Sequence, residues 1–144
     1  MSHSFIRVAR STEWEMAHLL RDHPGKCRFL HGHSYKLTVE VGGYIQKGGM
    51  VTDFGDLKKL LKSSVEEVFD HALVVDEKTA GELPNAFKAE HTEMIVMEQP
   101  PTCENLLISI KNILQHHLPE EVNLQMLTLQ ETSGSYARWL KEDN

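Results

Sequence analysis

The sequence has few cysteines, no long apolar run and no excess of basic charge. Two cysteines, Cys27 and Cys103, are too few for a disulfide framework and favour a reducing compartment such as the cytoplasm. No apolar run approaches the roughly 20 residues that span a bilayer. The N-terminal segment MSHSFIRVARS lacks the apolar core of a secretory signal. The sequence therefore predicts a cytoplasmic protein with no membrane partner.

The charge balance argues against a nucleic-acid partner. The net charge is −6, whereas a nucleic-acid-binding domain needs a basic face. The charge is unevenly placed, because the segment 18–36 holds four cations and one acid. These residues are Arg21, Lys26, Arg28, Lys36 and the acidic Asp22. Such a cationic stretch is suited to attract an anionic small molecule.

The length of 144 residues suits a single domain, 1–144, with its own core. Alternating apolar residues predict strands in HSFIRVARSTEWEMAH and YKLTVEVGGYI, and the glycine pairs 42–43 and 48–49 are expected to break the second strand. ALVV and EMIVME predict short strands on either side of a polar loop at 76–90. VNLQMLTLQETSGSYARWL predicts two strands around a turn.

Two amphipathic helices are predicted between these strands. Asp53 is the expected N-cap of the first, and the second is expected to start at Thr102 and stop before Pro119. The residues expected to face inward are Phe54, Leu57, Leu60, Leu61, Val65 and Val68, then Leu106, Leu107, Ile110, Ile113 and Leu114. The order of elements indicates an α+β domain with both helices on one face of an antiparallel sheet.

The stretch CRFLHGHSYKL places two histidines where the second strand begins. Residues i and i+2 of a strand point the same way, so His31 and His33 share the apolar face of that strand. Neutral imidazoles facing a core are costly unless their lone pairs are used, as a metal ion uses them. His18 ends the first strand on its apolar face and is the candidate third ligand. Three histidines with an open fourth position are typical of catalytic zinc, and a polar loop is the alternative for this motif.

Cys27 has three possible roles. It is a fourth zinc ligand that closes a structural site, a nucleophile or base beside the metal, or a small buried residue. The cations Lys26 and Arg28 flank it, and neighbouring positive charge stabilises a thiolate. The flanking charges favour a chemical role.

Three acidic positions extend the candidate site. Asp70 adjoins His71, and a carboxylate next to an imidazole can fix its tautomer, although this dipeptide is also common in turns. Glu131 lies on the same face of its strand as the apolar residues, so its carboxylate is expected to turn inward. There it could accept hydrogen bonds from two adjacent N–H groups of a guanidine-like ring. Glu104 lies in the first turn of the second helix, where an acid complements the helix dipole.

Six motifs in this order resemble the 6-pyruvoyl-tetrahydropterin synthase and 6-carboxy-tetrahydropterin synthase family. They are EMAH at 15–18, CRFLHGHSY at 27–35, VTDFGDLK at 51–58, DHALVV at 70–75, PTCEN at 101–105 and QETSGSYA at 130–137. The resemblance implies the tunnelling fold (T-fold), an antiparallel sheet with two helices on one face. It also implies a homo-oligomer, a tetramer or hexamer, in which strands join into a barrel and active sites lie at subunit interfaces.

The resemblance implies a role for each matching residue. Those that match the family's Zn²⁺ ligands are His18, His31 and His33. Those that match its catalytic residues are the proton-abstracting Cys27 and the relay of Asp70 and His71. Those that match its pterin-binding residues are Glu131, Thr102 and Glu104.

The spacing of the central motif is similar to one branch of this family. Three residues separate Cys27 from His31, as in the carboxy-forming enzymes of queuosine biosynthesis. This implies a zinc-dependent lyase that converts 7,8-dihydroneopterin triphosphate to 6-carboxy-5,6,7,8-tetrahydropterin, acetaldehyde and triphosphate. The alternatives are a 6-pyruvoyl-tetrahydropterin synthase and a non-catalytic protein that binds zinc or pterin. A zinc hydrolase is a third alternative, but the sequence contains no HExxH motif for such a helix.

Overall fold

The computed structural model describes residues 3–85 and 92–144. Its strands are β1 (Phe5–His18), β2 (His31–Tyr44), β3 (Ala72–Asp76), β4 (Glu93–Met97), β5 (Asn123–Thr132) and β6 (Ser135–Leu140). They form one sheet in the order β4-β3-β1-β2-β5-β6. The helices are α1 (Phe54–Leu61), α2 (Glu67–Phe69), α3 (Glu77–Glu82) and α4 (Cys103–His117). Among the described residues, no helix is long and apolar enough to cross a membrane.

The antiparallel pair of β1 and β2 forms the centre of the sheet. The pairing runs from Phe5 opposite Tyr44 to His18 opposite His31. Even-numbered residues of β1 and odd-numbered residues of β2 face the helices, and the predicted alternation is confirmed. The buried residues of this helix-covered face include Trp14, Met16, Tyr35, Leu37, Val39 and Val41. The other side, here called the open face, carries the polar residues of both strands.

The sheet is mixed, whereas the sequence predicted a purely antiparallel one. β3 runs parallel to β1, with Ala17 opposite Leu73, and β4 runs parallel to β3. The ladders β1·β2, β2·β5 and β5·β6 are antiparallel. The apolar runs of β3 and β4 are too short to show strand direction, which depends on the connections between strands.

The helix after β2 differs from the regular helix that the sequence predicted. A π-helical turn at Lys62–Glu66 joins α1 to α2. The buried residues of this segment are Leu57, Leu61, Val65 and Phe69. Phe54 and Val68, predicted to face inward, are 51% and 48% exposed. The wider turn interrupts the 3.6-residue period before Val68, so a helical wheel drawn from the sequence does not hold across it. Phe54 is exposed at the first position of α1.

Both predicted helix starts are confirmed. The Asp53 carboxylate accepts a hydrogen bond from the backbone N–H of Gly55, 2.6 Å away. The Thr102 hydroxyl accepts one from the backbone N–H of Asn105 at 3.2 Å. The second helix, α4, ends at His117, just before Pro119. Its buried residues are Leu106, Leu107, Ile110 and Leu114.

The segment 76–90, predicted as a polar loop, begins with a helix. Asp76 caps α3 by accepting from the backbone N–H of Thr79 at 2.7 Å. The short helix lacks an apolar period, so the sequence pattern does not reveal it. The end of the predicted loop, from residue 86 on, lies outside the described residues.

Gly42 and Gly43 lie inside β2, which continues to Tyr44, so the prediction that they break the strand is wrong. They are needed because other parts of the chain approach closely. A Cβ atom at Gly43 would lie 2.8 Å from the backbone carbonyl oxygen of Glu121. At Gly42 it would lie 2.5 Å from the ring of Phe5.

Replacing Gly43 with alanine is expected to lower the free energy of unfolding by about 1–3 kcal/mol, because backbone must move to admit the methyl group. Gly81→Ala is the matched control, since an added Cβ in α3 meets no atom within 4 Å. We expect that change to be neutral or stabilising by about 0.5–1 kcal/mol. Urea denaturation measures both, and equal stabilities for the two variants would contradict the close approach at Gly43.

Candidate metal centre and active site

The three histidines predicted as metal ligands meet on the helix-covered face, where β1 ends and β2 begins. His18 lies opposite His31 in the β1·β2 ladder, and His33 follows on the same face. Each residue offers one ring nitrogen within 4.8 Å of the other two. The Nε2 atoms of His18 and His31 are 3.0 Å apart. The antiparallel register therefore gathers three imidazoles that the sequence separates.

Two backbone carbonyl groups fix the tautomers of this pair. Nδ1 of His18 donates to the carbonyl oxygen of Pro101, and Nδ1 of His31 donates to that of Phe29, both at 2.7 Å. A neutral imidazole carries one N–H, so each Nε2 bears a lone pair. Two lone pairs in such proximity repel each other unless a cation lies between them. Metal-ligating histidines have this arrangement, with the second nitrogen held by a carbonyl or carboxylate.

His33 completes the group. Its Nε2 is buried and makes no hydrogen bond with the described residues, although Oε1 of Glu131 lies 3.4 Å away. Burial lowers the pKa of both His18 and His33, against the opposing effect of the Glu131 carboxylate. Both rings are therefore neutral near pH 7, the form that binds metal. A buried nitrogen without a partner and an all-imidazole donor set fit a zinc-type cation.

Glu131 lies beside the histidines, as its strand parity predicts. Oε2 of Glu131 accepts from the hydroxyl of Tyr35 at 3.4 Å, and its side chain is only 22% exposed. Burial raises the pKa of Tyr35, so the phenol keeps its proton and remains a donor. Tyr35 is not among the site residues that the sequence predicts. The available signal was its parity with His33, two residues earlier on the same face of β2.

Cys27 lies in a 3₁₀ turn, Lys26–Arg28, between β1 and β2. Its carbonyl oxygen accepts from the backbone N–H of Leu20 at 2.9 Å, which ties the turn to the chain just after His18. The thiol is half-buried and is not part of the three-histidine group found among the described residues. This placement favours a nucleophile or base over a fourth metal ligand.

The environment of Cys103 differs from that of Cys27. The Cys103 thiol donates to the carbonyl oxygen of Leu129 at 3.3 Å. Burial raises the pKa of Cys103 to about 11, and the Glu131 carboxylate adds to this effect. A thiol that keeps its proton at neutral pH is a poor nucleophile. Cys27 is therefore the reactive candidate of the two free cysteines.

Asp70 and His71 form the predicted acid–imidazole pair, fastened to the backbone of Glu15. Oδ1 of Asp70 lies 3.0 Å from Nδ1 of His71 and accepts from the Glu15 N–H at 3.0 Å. The hydrogen bond from Glu15, followed by those from His71, lowers the pKa of Asp70. The His71 N–H donates to the Glu15 carbonyl at 2.6 Å. This clamp holds His71 at φ 62°, a left-handed conformation uncommon outside glycine.

The pair is turned toward the open face, away from the three-histidine group. The His71 side chain is 78% exposed. It borders a depression of about 320 Å³ lined by Glu15, Met16, Ala17, Gly32, His33, Ser34, His71 and Ala72. In this depression the hydroxyl of Ser34 donates to Glu15 at 2.8 Å. Strand alternation directs the side chains of Glu15 and Ser34 to the side opposite the His33 ring.

The PTCEN motif approaches the site through its backbone. Pro101 accepts from His18, Thr102 caps α4, and Glu104 is exposed in the first helical turn. The sequence does not predict Pro101 and Phe29 as partners of the histidines. Both act through carbonyl groups, which every residue has, so the side-chain pattern carries no signal for them.

Solved structures with a similar fold define the class of the protein. An uncharacterised protein from Wolinella succinogenes matches with a TM-score of 0.78 at 20% identity, over 96% of this chain and 99% of that one. The 6-pyruvoyl tetrahydropterin synthase of Caenorhabditis elegans matches with a TM-score of 0.69 at 22% identity, over 95% and 96%. The predicted α+β T-fold is thereby confirmed.

Sequence comparison gives the family. The profile of 6-pyruvoyl tetrahydropterin synthase matches residues 7–142. The 6-carboxy-5,6,7,8-tetrahydropterin synthase of Haemophilus influenzae is 34% identical over 140 residues, 93% of this chain and 98% of that one. The enzyme of the same name from Rickettsia conorii is 36% identical over 110 residues, 74% and 78% of the two chains. The chain therefore belongs to the 6-pyruvoyl tetrahydropterin synthase family, as its motifs indicated.

Proposed function

We propose that the protein is a zinc-dependent lyase that converts 7,8-dihydroneopterin triphosphate to 6-carboxy-5,6,7,8-tetrahydropterin, acetaldehyde and triphosphate. The chain has the 6-carboxy-5,6,7,8-tetrahydropterin synthase activity for which its curated relatives are named. The observation that carries the proposal is the three-histidine group beside the inward carboxylate of Glu131. It offers a metal position and an anchor for a nitrogen-rich ring on one face of the sheet.

His18, His31 and His33 would hold the metal. The neutral rings of His18 and His33 support this role, and so do the Nε2 lone pairs of His18 and His31, whose Nδ1 atoms bind backbone carbonyls. Bound zinc supplies Lewis-acid polarisation of the hydroxyl oxygens on the substrate side chain. A donor set of three histidines would match catalytic zinc sites, in which the protein supplies three ligands.

Cys27 is the proposed base that removes a carbon-bound proton from the substrate. The 3₁₀ turn that carries it is hydrogen-bonded to the chain just after His18, and this supports a position of the thiol close to the metal ligands. His71 is the proposed proton carrier for the substrate oxygens. The ionised Asp70 binds Nδ1 of His71, which leaves the exposed Nε2 to exchange a proton.

Glu131 is the proposed anchor of the pterin. A carboxylate accepts two parallel hydrogen bonds from the N–H groups of an aminopyrimidinone edge, and this fixes the ring relative to the thiolate. Thr102 and Glu104 are proposed to line the same pocket. Their support is the adjacent Pro101, whose carbonyl contacts His18.

The proposed assembly is a homo-oligomer, a tetramer or hexamer, in which Asp70 and His71 serve a neighbouring chain. Three features support it: the 78% exposure of His71, its position on the open face, and the edge strands β4 and β6. The two free thiols suit a reducing cytoplasm. We place the activity there, in queuosine biosynthesis.

The products of zinc-loaded protein incubated with 7,8-dihydroneopterin triphosphate test the proposed function. Mass spectrometry is expected to detect 6-carboxy-5,6,7,8-tetrahydropterin together with acetaldehyde, and chelator-treated protein is expected to form neither until zinc is restored. A pyruvoyl product without acetaldehyde would move the chain to the sister activity. No turnover by zinc-loaded protein would instead identify a binding protein.

A further inference from the structure

The cationic stretch before β2 contains two arginines in different environments, and we propose that Arg28, not Arg21, binds the triphosphate group of the substrate. This inference rests on the proposed function, because it assigns a subsite for the same substrate. Lys26 is the third cation of the segment, and its exposed side chain forms no hydrogen bond or ion pair with the described residues, so no contact orients its charge. The contacts of the three side chains distinguish them.

The charge of Arg21 is already paired. Its Nη1 lies 2.6 Å from Oε2 of Glu82 in α3, and the two side chains are 31% and 56% exposed. The pair carries no net charge, so it attracts an approaching triphosphate less than an unpaired guanidinium does. Arg21 therefore contributes to attaching α3 to the end of β1 and adds little attraction for an anion.

The guanidinium of Arg28 contacts neutral groups. Its Nη1 donates to the carbonyl oxygen of Pro24 at 3.1 Å, and the guanidinium carbon lies 4.7 Å from the centre of the Phe29 ring. Arg28 forms no ion pair with the described residues. A guanidinium has five N–H groups, so most of its donors remain available to phosphate oxygens. The two contacts also restrict the side chain before the ligand arrives, which lowers the entropy cost of binding.

The position of Arg28 fits a group attached close to the reacting carbons. The Phe29 carbonyl accepts from Nδ1 of His31, so Arg28 directly precedes a residue bonded to a metal ligand. The Cα atoms of Arg28 and His31 lie within about 11 Å of each other, the reach of three peptide units. The substrate carries its triphosphate on the same side chain whose hydroxyl groups would meet the histidines. An unpaired, oriented cation therefore stands at the edge of the proposed reaction centre.

Three glutamine variants and two measurements test the inference. Inorganic triphosphate is the probe for calorimetry, and KM and kcat are measured with 7,8-dihydroneopterin triphosphate. Arg28→Gln is expected to weaken triphosphate binding and to raise KM by about tenfold or more, the effect of losing a charge-assisted contact, with kcat changed less than about threefold. Arg21→Gln and Lys26→Gln are expected to change both affinities by less than about threefold. Arg28→Lys keeps the charge without the planar fork and is expected to give an intermediate loss.

Unchanged affinity in Arg28→Gln, or an equal loss in Arg21→Gln, would overturn the inference. Wild-type protein that does not bind inorganic triphosphate would overturn it as well. Failure of the proposed function has a different signature: triphosphate binding would still depend on Arg28, but no carboxylated pterin would form. Circular dichroism of each variant identifies any loss of affinity that comes from unfolding.

Discussion

Replacing Cys27 with alanine is expected to lower kcat by about 10²–10⁴-fold while the metal content stays at the wild-type level. The thiol belongs to a turn fastened beside the histidines, and it is not part of the three-histidine group. Removing it takes away the proposed base and leaves every imidazole in place. Kinetics and elemental analysis of the same preparation measure the two quantities together.

Cys103→Ala is the matched control for this change. It removes a thiol that donates to the Leu129 carbonyl, so the expected cost is about 1 kcal/mol of stability with kcat within about threefold of wild type. If Cys27→Ala instead loses metal and melts at a lower temperature, Cys27 is a structural ligand. The proposed base would then have to be abandoned.

Replacing His18 with alanine is expected to lower metal affinity more than about 100-fold and, with it, to abolish turnover. His18 is 1% exposed, and its ring joins β1 to the carbonyl of Pro101. The change removes one of three nitrogen donors, opens a cavity and leaves that carbonyl without its donor. We therefore also expect the free energy of unfolding to fall by about 2–4 kcal/mol.

Two further variants separate loss of the metal from loss of stability. Nε2 of His33 makes no hydrogen bond with the described residues, so His33→Ala is expected to lose metal with a smaller loss of stability than His18→Ala. His116→Ala removes an exposed imidazole from the last turn of α4 and is expected to keep both metal and activity. Stoichiometric zinc in folded His18→Ala or His33→Ala would contradict the metal centre. For all three variants, elemental analysis measures the metal content and thermal melts measure the stability.

Strand alternation explains which parts of the site the sequence could predict. A period of two is a local property, so it was enough to place His31, His33 and Glu131 on the covered face. The N-caps Asp53 and Thr102 were equally predictable, because a cap needs only a side chain and the adjacent backbone. The tautomers of His18 and His31 were not predictable. They depend on the carbonyls of Pro101 and Phe29, and a carbonyl has no residue-specific signal.

Non-local geometry explains the errors in the predicted fold. The parallel direction of β3 depends on how the segment before it crosses back, and Val68 turns outward because a π-helical turn precedes it. The local sequence around Gly43 predicts a strand break, because it carries no sign of the close approach of Glu121, far along the chain. The sequence is compatible with His71 as a turn residue or as part of a relay, and the left-handed backbone of His71 fits both roles.

The two faces of β1 carry different parts of the proposed catalytic machinery. Through His18 the strand supplies a metal ligand on one side, and through the backbone of Glu15 it holds Asp70 and His71 on the other. If that pair serves a neighbouring chain, as proposed, every strand belongs to two centres. A chain with a defective β1 would then inactivate two centres in a mixed assembly, while two chains that each lack a different catalytic residue could form one intact centre between them. In genetic terms, some defective alleles would be dominant over the wild type, and alleles with different defects would complement each other.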